Sequence, residues 1–215
     1  MATRHFSFNL LILVCFTLLI VASASAGIVY ENGPIDGQTD AWTINFGFFV
    51  SDAFTISTGS TTLTGLSFGA WLYPGDVLQS VEVILTSDEA GGITYFDQMV
   101  NLTQSNCSLN GFNYDVCLET GTFSGPTLPN STYWLQLQNA VVSNGDPVYW
   151  DENRGVGCHS QGCPSEASET ALGTIPAEAF TLYGSGNGST PEPASILLFA
   201  SGVIGVAGTL RRKLL

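Results

Sequence analysis

A histidine lies between two cysteines in the segment Cys158-His159-Ser160-Gln161-Gly162-Cys163. Two thiolates and an imidazole could bind zinc, but a tetrahedral structural site needs a fourth ligand, which is missing here. The alternative is a small disulfide loop with an exposed histidine. Thiols oxidise outside the cytoplasm, so the cellular compartment decides between the two interpretations.

Two pairs of adjacent acidic residues, Asp88-Glu89 and Asp151-Glu152, are the candidates for acid–base catalysis. Adjacent residues of a strand point to opposite faces, so neither pair can act as a catalytic dyad by itself. Glycoside hydrolysis would need two distant carboxylates that converge in a cleft. No Asp-x-Asp-x-Asp calcium loop is present either. We therefore expect no catalytic residue, metal or cofactor, with a cryptic hydrolase as an alternative.

Exposed tryptophans could stack on sugar rings. Trp150 is followed by Asp151 and Glu152, which would supply polar partners for sugar hydroxyls. Trp134 is out of phase with the apolar residues around it and is expected to face outward. Core packing is the commoner role of aromatic residues on strands. The candidate sugar-binding residues are Trp150, Asp151, Glu152 and Trp134.

The first 26 residues have the composition of a secretory signal peptide. Arg4 supplies a positive charge, residues 6–21 are almost wholly apolar, and Ala24 and Ala26 provide an A-x-A cleavage site. We predict export and cleavage by signal peptidase after Ala26. Export favours the disulfide interpretation of the histidine segment.

The last 25 residues combine three features in order. A Pro-Glu-Pro motif at 191–193 precedes residues 194–210, which carry no charge and have the shortest length that spans a membrane as a helix. A basic cluster follows, and such a cluster stays on the cytoplasmic side. The sequence therefore predicts a single C-terminal transmembrane helix with the preceding chain outside. The cytoplasmic basic anchor consists of Arg211, Arg212 and Lys213.

The part of the chain between the signal peptide and the C-terminal tail carries many more acidic than basic residues. Of the 18 acidic residues, 17 lie between residues 27 and 190, whereas Arg154 is the only lysine or arginine there. Such a surface repels phosphate backbones, so we exclude nucleic acid as a partner. Four cysteines in an exported chain predict two disulfides. Three pairings are open, and we favour the local one, Cys107–Cys117 with Cys158–Cys163.

Residues 27–183 show the period-two alternation of half-buried antiparallel strands. Four segments carry it clearly: Trp42 to Phe48, Val81 to Leu85, Phe112 to Leu118 and Tyr133 to Leu137. Ser143-Asn144-Gly145-Asp146 predicts a hairpin turn between 139–142 and 148–150. The fold class is therefore all-β, a single jelly-roll-like β-sandwich. A Gly/Ser-rich linker at 184–190 follows it.

The tail at 190–215 closely resembles the PEP-CTERM sorting signal of Gram-negative bacteria in its motif, its small apolar span and its Arg-Arg-Lys ending. The same tail is also catalogued as the C-terminal domain of ice-binding proteins. The resemblance implies processing by an exosortase, a membrane cysteine transpeptidase. It also implies a destination in the cell envelope or an exopolysaccharide matrix. The sorting motif consists of Pro191, Glu192 and Pro193.

The function predicted from the sequence is that of an exported, non-catalytic surface or extracellular-matrix protein. Its expected partners are signal peptidase, an exosortase and exopolysaccharide. A carbohydrate-binding module that acts on exopolysaccharide is the first alternative, and a hydrolase that uses two carboxylates is the second. Ice binding is not expected, because the run Thr61-Thr62-Leu63-Thr64 is short and unrepeated.

Overall fold

The computed structural model describes residues 26–57, 59–155 and 157–186. The predicted sorting tail, the transmembrane segment at 194–210 and the signal peptide up to residue 25 lie outside these ranges. Within the ranges, no helix has the length and apolar character needed to cross a membrane.

The described residues form strands joined by turns and loops. The strands are β1 (Gly27–Glu31), β2 (Ala41–Thr43), β3 (Phe49–Ile56), β4 (Thr61–Leu72), β5 (Leu78–Asp88), β6 (Gly91–Leu109), β7 (Asp115–Thr122), β8 (Thr127–Leu128), β9 (Ser131–Val142), β10 (Tyr149–Asp151), β11 (Ala167–Glu169), β12 (Gly173–Ile175) and β13 (Phe180–Gly186).

The strands pair antiparallel in the order β1-β13-β4-β7-β6-β5-β9-β3-β11-β12. Strand β6 joins two layers: its residues up to Asn101 pair with β5, and its residues from Leu102 onward pair with β7. We call the β1-β13-β4-β7 side sheet A and the β5-β9-β3-β11-β12 side sheet B. Strands β10 and β2 extend sheet A beside the C-terminal end of β4. The predicted all-β class is confirmed.

The core lies between the two sheets. Val81, Val83 and Leu85 of β5 are fully buried, as their alternation predicts. Aromatic rings connect the layers, because Tyr30 of β1 in sheet A packs 6.1 Å from Phe54 of β3 in sheet B. The core therefore depends on contacts between strands that are distant in sequence.

The predicted hairpin after β9 is wrong. The turn itself is present, and Gly145 adopts the positive φ of 77° that such turns need. However, β9 pairs with β3 and β5 in sheet B, whereas β10 pairs with β2 and β4 in sheet A. The turn therefore carries the chain from one layer to the other.

Two of the predicted alternating strands also differ in the structure. Strand β2 ends at Thr43, and Phe46 occupies a turn with φ 56° and 63% of its surface exposed. Strand β7 begins only at Asp115, so Phe112 belongs to the preceding loop. The core face of β7 carries Glu119, which is fully buried. Polar burial of this kind is invisible to a hydrophobic pattern.

Candidate functional site

Both predicted disulfides are present. Cys158–Cys163 closes the loop that carries His159, whose side chain is exposed. The two thiols are consumed in that bond, so the zinc alternative for this loop is wrong. Cys107–Cys117 links β6 to β7. Among the described residues, no group of three or more His, Cys, Asp or Glu side chains is arranged to hold a metal ion.

The structure excludes Trp150 as a sugar-binding residue and gives it the alternative role, core packing. Its side chain is fully buried, with ring centroids 6.1 Å from Phe68 and 5.7 Å from Phe180. Its indole N–H donates to the backbone oxygen of Ala179 over 3.0 Å. A sugar cannot reach this ring, because β10 places it between the two sheets.

The two acids after Trp150 are also buried, which corrects their predicted role as sugar contacts. Glu152 is 5% exposed and accepts a hydrogen bond from the indole of Trp42 over 3.0 Å. Asp151 is fully buried. Trp134, in contrast, lies on the outer face of β9 and is partly exposed, opposite the buried Tyr133 and Leu135, as predicted.

One pair of distant carboxyls does converge in the structure, and the sequence did not single it out. Asp52 accepts hydrogen bonds from Ser165 Oγ, from Asn32 Nδ2 at 3.1 Å and from the Glu178 backbone N–H at 2.6 Å. Burial raises the pKa of Asp52 to about 8. Burial and the nearby Asp52 carboxyl raise the pKa of Glu178 well above its usual value. Both side chains are fully buried, so a substrate has no access to either.

A concavity with a volume of about 730 Å³ lies beside the end of β6 and the start of β7. We call it the groove. Residues 35–38 form one wall, and Asn106 with residues 108–112 forms the other. Residues 116–118 of β7, which include Cys117 of the Cys107–Cys117 disulfide, form the floor. This volume falls within the range of about 300–1,000 Å³ typical of ligand sites.

Aromatic rings continue the groove surface. Phe112 lies on the rim with 57% of its surface exposed and stacks on Trp71 at a centroid distance of 5.5 Å and an interplanar angle of 23°. Tyr114 packs 5.9 Å from Trp71, 5.2 Å from Tyr73 and 5.6 Å from Tyr149. We call these five rings the aromatic surface. They come from β4, the turn that follows it, the loop before β7, and β10.

Asp151 connects the core to this surface. Its carboxylate accepts hydrogen bonds from Trp71 Nε1 at 2.5 Å, from the backbone N–H of Asp36 at 3.0 Å and from that of Gly37 at 3.1 Å. Burial raises the pKa of Asp151 to about 6, although these donors favour its charged form. One carboxylate therefore positions both a groove wall and the ring beneath Phe112.

Asn110 organises the opposite wall. Its Oδ1 accepts hydrogen bonds from the backbone N–H groups of Phe112 at 2.9 Å and Tyr114 at 3.0 Å. Its Nδ2 donates to the backbone oxygen of Gly37 at 3.2 Å and so joins the two walls. Gly37 has φ 62°, and a Cβ there would lie 3.0 Å from Val116. Hydrogen bonds and close packing therefore hold the two walls of the groove in place relative to each other.

One sequence feature indicated the exposed ring at the groove, but the period-two pattern of the same segment favoured a different interpretation. Asn110-Gly111 is a strong turn pair and directly precedes an aromatic residue. An aromatic side chain just after a turn is more often exposed than one inside a strand. The period-two pattern from Phe112 to Leu118 instead favoured a strand that buries the ring.

Comparison with known families identifies the tail. A PEP-CTERM protein-sorting motif matches residues 189–213, a range that includes the Pro-Glu-Pro motif and the basic cluster. The match confirms the predicted sorting signal, which marks an exported envelope protein sorted by an exosortase. No curated protein matches the chain.

Proposed function

We propose that the exported domain is a non-catalytic carbohydrate-binding module, which attaches an exosortase-sorted surface protein to the extracellular matrix. The observation that carries this proposal is the exposed Phe112 ring, stacked on Trp71 at the rim of the groove. In this proposal Phe112, rather than Trp150, is the aromatic residue that stacks on a sugar ring.

The chemistry of the groove suits a sugar. The flat face of an aromatic ring packs well against the apolar C–H face of a pyranose, and it costs little entropy because the ring is already held. Gln38, Asn106 and Ser108 line the groove and supply amide and hydroxyl groups for sugar hydroxyls. A few placed polar groups beside an apolar platform are typical of small-molecule sites.

Binding is favoured over hydrolysis by the placement of the acids. Glycosidases use two carboxyl groups on either side of the scissile bond, about 5–9.5 Å apart. Within the part of the chain that the structure describes, Asp36 is the only acid that lines the groove. Its carboxylate already accepts hydrogen bonds from the backbone of Gln38 at 2.7 Å and the hydroxyl of Thr39 at 2.9 Å. The converging pair Asp52 and Glu178 is sealed in the core.

The position of the groove along β4 also fits a surface module. Gly186, beyond which the chain continues to the sorting tail, pairs with Thr61 at the start of β4. Trp71 lies ten residues further along the strand, at the groove. At about 3.4 Å per residue, the groove is about 34 Å from that exit point. A ligand bound in the groove would therefore lie far from Gly186, where the described part of the chain ends.

The test is direct binding to polysaccharides by the exported protein, purified from the cell envelope or matrix in mild detergent. Affinity electrophoresis against dextran, galactomannan, alginate and polygalacturonate gives a Kd for each polymer. Phe112→Ala is expected to weaken binding at least tenfold with little effect on stability, because the ring is mostly exposed. Phe46→Ala removes an equally exposed ring from another turn and serves as the matched control.

Other outcomes would point to other functions. Equal loss in Phe112→Ala and Phe46→Ala, or binding to no polymer, would reject the module and leave a surface protein without a carbohydrate ligand. If only Trp134→Ala abolished binding, the site would lie on the outer face of sheet B. Release of reducing ends from any polymer would support the hydrolase alternative instead.

A further inference from the structure

We propose that the groove selects uncharged polysaccharides and discriminates against acidic ones. This inference rests on the proposed carbohydrate-binding function and names the ligand class of the same site. It follows from the charges at and around the groove, and from the hydrogen-bonding groups that line it.

Among the described residues, the lining of the groove includes one acid and no lysine or arginine. Asp36 is that acid. Asp115 lies at the start of β7 beside the floor, and its carboxylate accepts from the backbone of Gly75 at 3.3 Å. Asp146 lies close enough to Tyr73 to help raise the pKa of that phenol. The aromatic surface is therefore bordered by acids as well.

The only lysine or arginine among the described residues is Arg154, and its exposed side chain is not among the residues that line the groove. Its Nε donates to Thr39 Oγ1 over 2.9 Å. Its charge acts on the neighbouring Glu152 carboxyl. Asp36 and Asp40 act on the same carboxyl, so the acids of this region outnumber the single cation.

An acidic polysaccharide brings a carboxylate on many of its sugar units. Recognition of such groups normally uses arginine or lysine, whose charge offsets the cost of removing the anion from water. This groove would set those carboxylates against Asp36 without a compensating cation, and like charges at close range weaken binding. Sugar hydroxyls meet no such cost, because amides and a serine hydroxyl satisfy them.

The experiment compares two neutral polymers, dextran and galactomannan, with two acidic ones, alginate and polygalacturonate. Each is titrated in calcium-containing buffer and in EDTA, so that bridging of carboxylates by calcium is detected. We expect at least tenfold tighter binding to a neutral polymer than to either acidic polymer in both buffers. Acidic binding as tight as neutral binding, in either buffer, would overturn the selectivity and leave the proposed function standing.

A charge substitution gives an independent test. Gln38 is exposed on the groove wall, so Gln38→Lys places a cation at the site. We expect this variant to gain at least fivefold affinity for alginate, with a gain that declines at high salt. Gln98→Lys adds the same charge on the exposed face of β6 and should gain nothing. Equal gains in both variants would overturn the inference, and binding of no polymer by any variant would remove the proposed function with it.

Discussion

The Asp151 carboxylate accepts a hydrogen bond from the indole nitrogen of Trp71 over 2.5 Å, inside a site that excludes water. The same carboxylate holds the backbone of Asp36 and Gly37. A buried acid thus connects the central strands of sheet A to the wall of the groove and to the ring that supports Phe112. Its role is positioning, because it does not reach the groove surface.

Asp151→Asn is expected to weaken polysaccharide binding and to destabilise the fold. An amide has one acceptor oxygen, so its NH₂ group would face at least one of the three donors that Asp151 now accepts. A buried donor left without a partner costs about 1–3 kcal/mol. Urea denaturation measures the stability and affinity electrophoresis the binding. Glu89→Gln changes the same charge at an exposed turn and should alter neither. Full binding by Asp151→Asn would contradict the positioning role.

The buried acid Glu119 predicts an unusual pH dependence. Burial raises its pKa to about 8, and neither carboxyl oxygen has a hydrogen-bond partner among the described residues. An unfolded chain titrates glutamate near about 4.3. Between these pH values the folded state binds more protons than the unfolded state. The free energy of unfolding therefore falls as the pH rises from about 4 to about 8.

Glu119→Gln is expected to remove part of that fall, because an amide does not ionise. The variant should gain on the order of 1–4 kcal/mol over the parent at pH 8 and little near pH 4. Denaturant unfolding at pH 4, 6 and 8 measures the difference. The residual slope reports the other buried acids Asp52, Asp151 and Glu178, whose raised pKa values act in the same direction. Glu166→Gln at the exposed surface is the control, and an unchanged slope in Glu119→Gln would refute the assignment.

The sequence predicted the fold class and the strands in which apolar residues alternate strictly, such as β5 and the middle of β9. The sequence-based prediction failed where residues distant in the chain determine which face of a strand is buried or which strand it pairs with. Glu119 faces the core, so β7 is buried in the opposite phase to its apolar pattern. The turn after β9 has the residues of a hairpin, but the strand that follows finds its partners in the other sheet. Such choices depend on tertiary packing rather than on local preference.

The candidate site was predicted only in part. Asp151 was a candidate sugar contact, but its side chain is fully buried. Its partners Trp71, Asp36 and Gly37 lie about 80 to 115 positions earlier in the chain. The tail was predictable because its motif, apolar span and basic cluster are contiguous. The groove was not, because three distant segments build it.

The two disulfides predict different effects on binding. Each closes a short loop, with sequence separations of 10 and 5, so loss of either is expected to cost about 2–3 kcal/mol of stability. Cys117, however, lies in the groove floor. Cys107→Ala with Cys117→Ala should therefore lower polysaccharide affinity, whereas Cys158→Ala with Cys163→Ala should leave it intact. Thermal unfolding and binding are measured on both double variants. Equal affinities would show that the floor does not depend on the bond.

Processing of the tail is the last expectation. Replacement of Pro191, Glu192 and Pro193 by alanine should abolish removal of the tail, because the motif that implies exosortase processing would be lost. Mass spectrometry of the protein from cells with and without the exosortase measures the outcome. The parent should lose the mass of the C-terminal segment only when the enzyme is present, and the variant should keep it in both strains. Alanine at Asn187 and Gly188, which precede the matched residues 189–213, is the control and should leave processing intact. An intact tail on the parent in both strains would refute exosortase processing and indicate a simple membrane anchor.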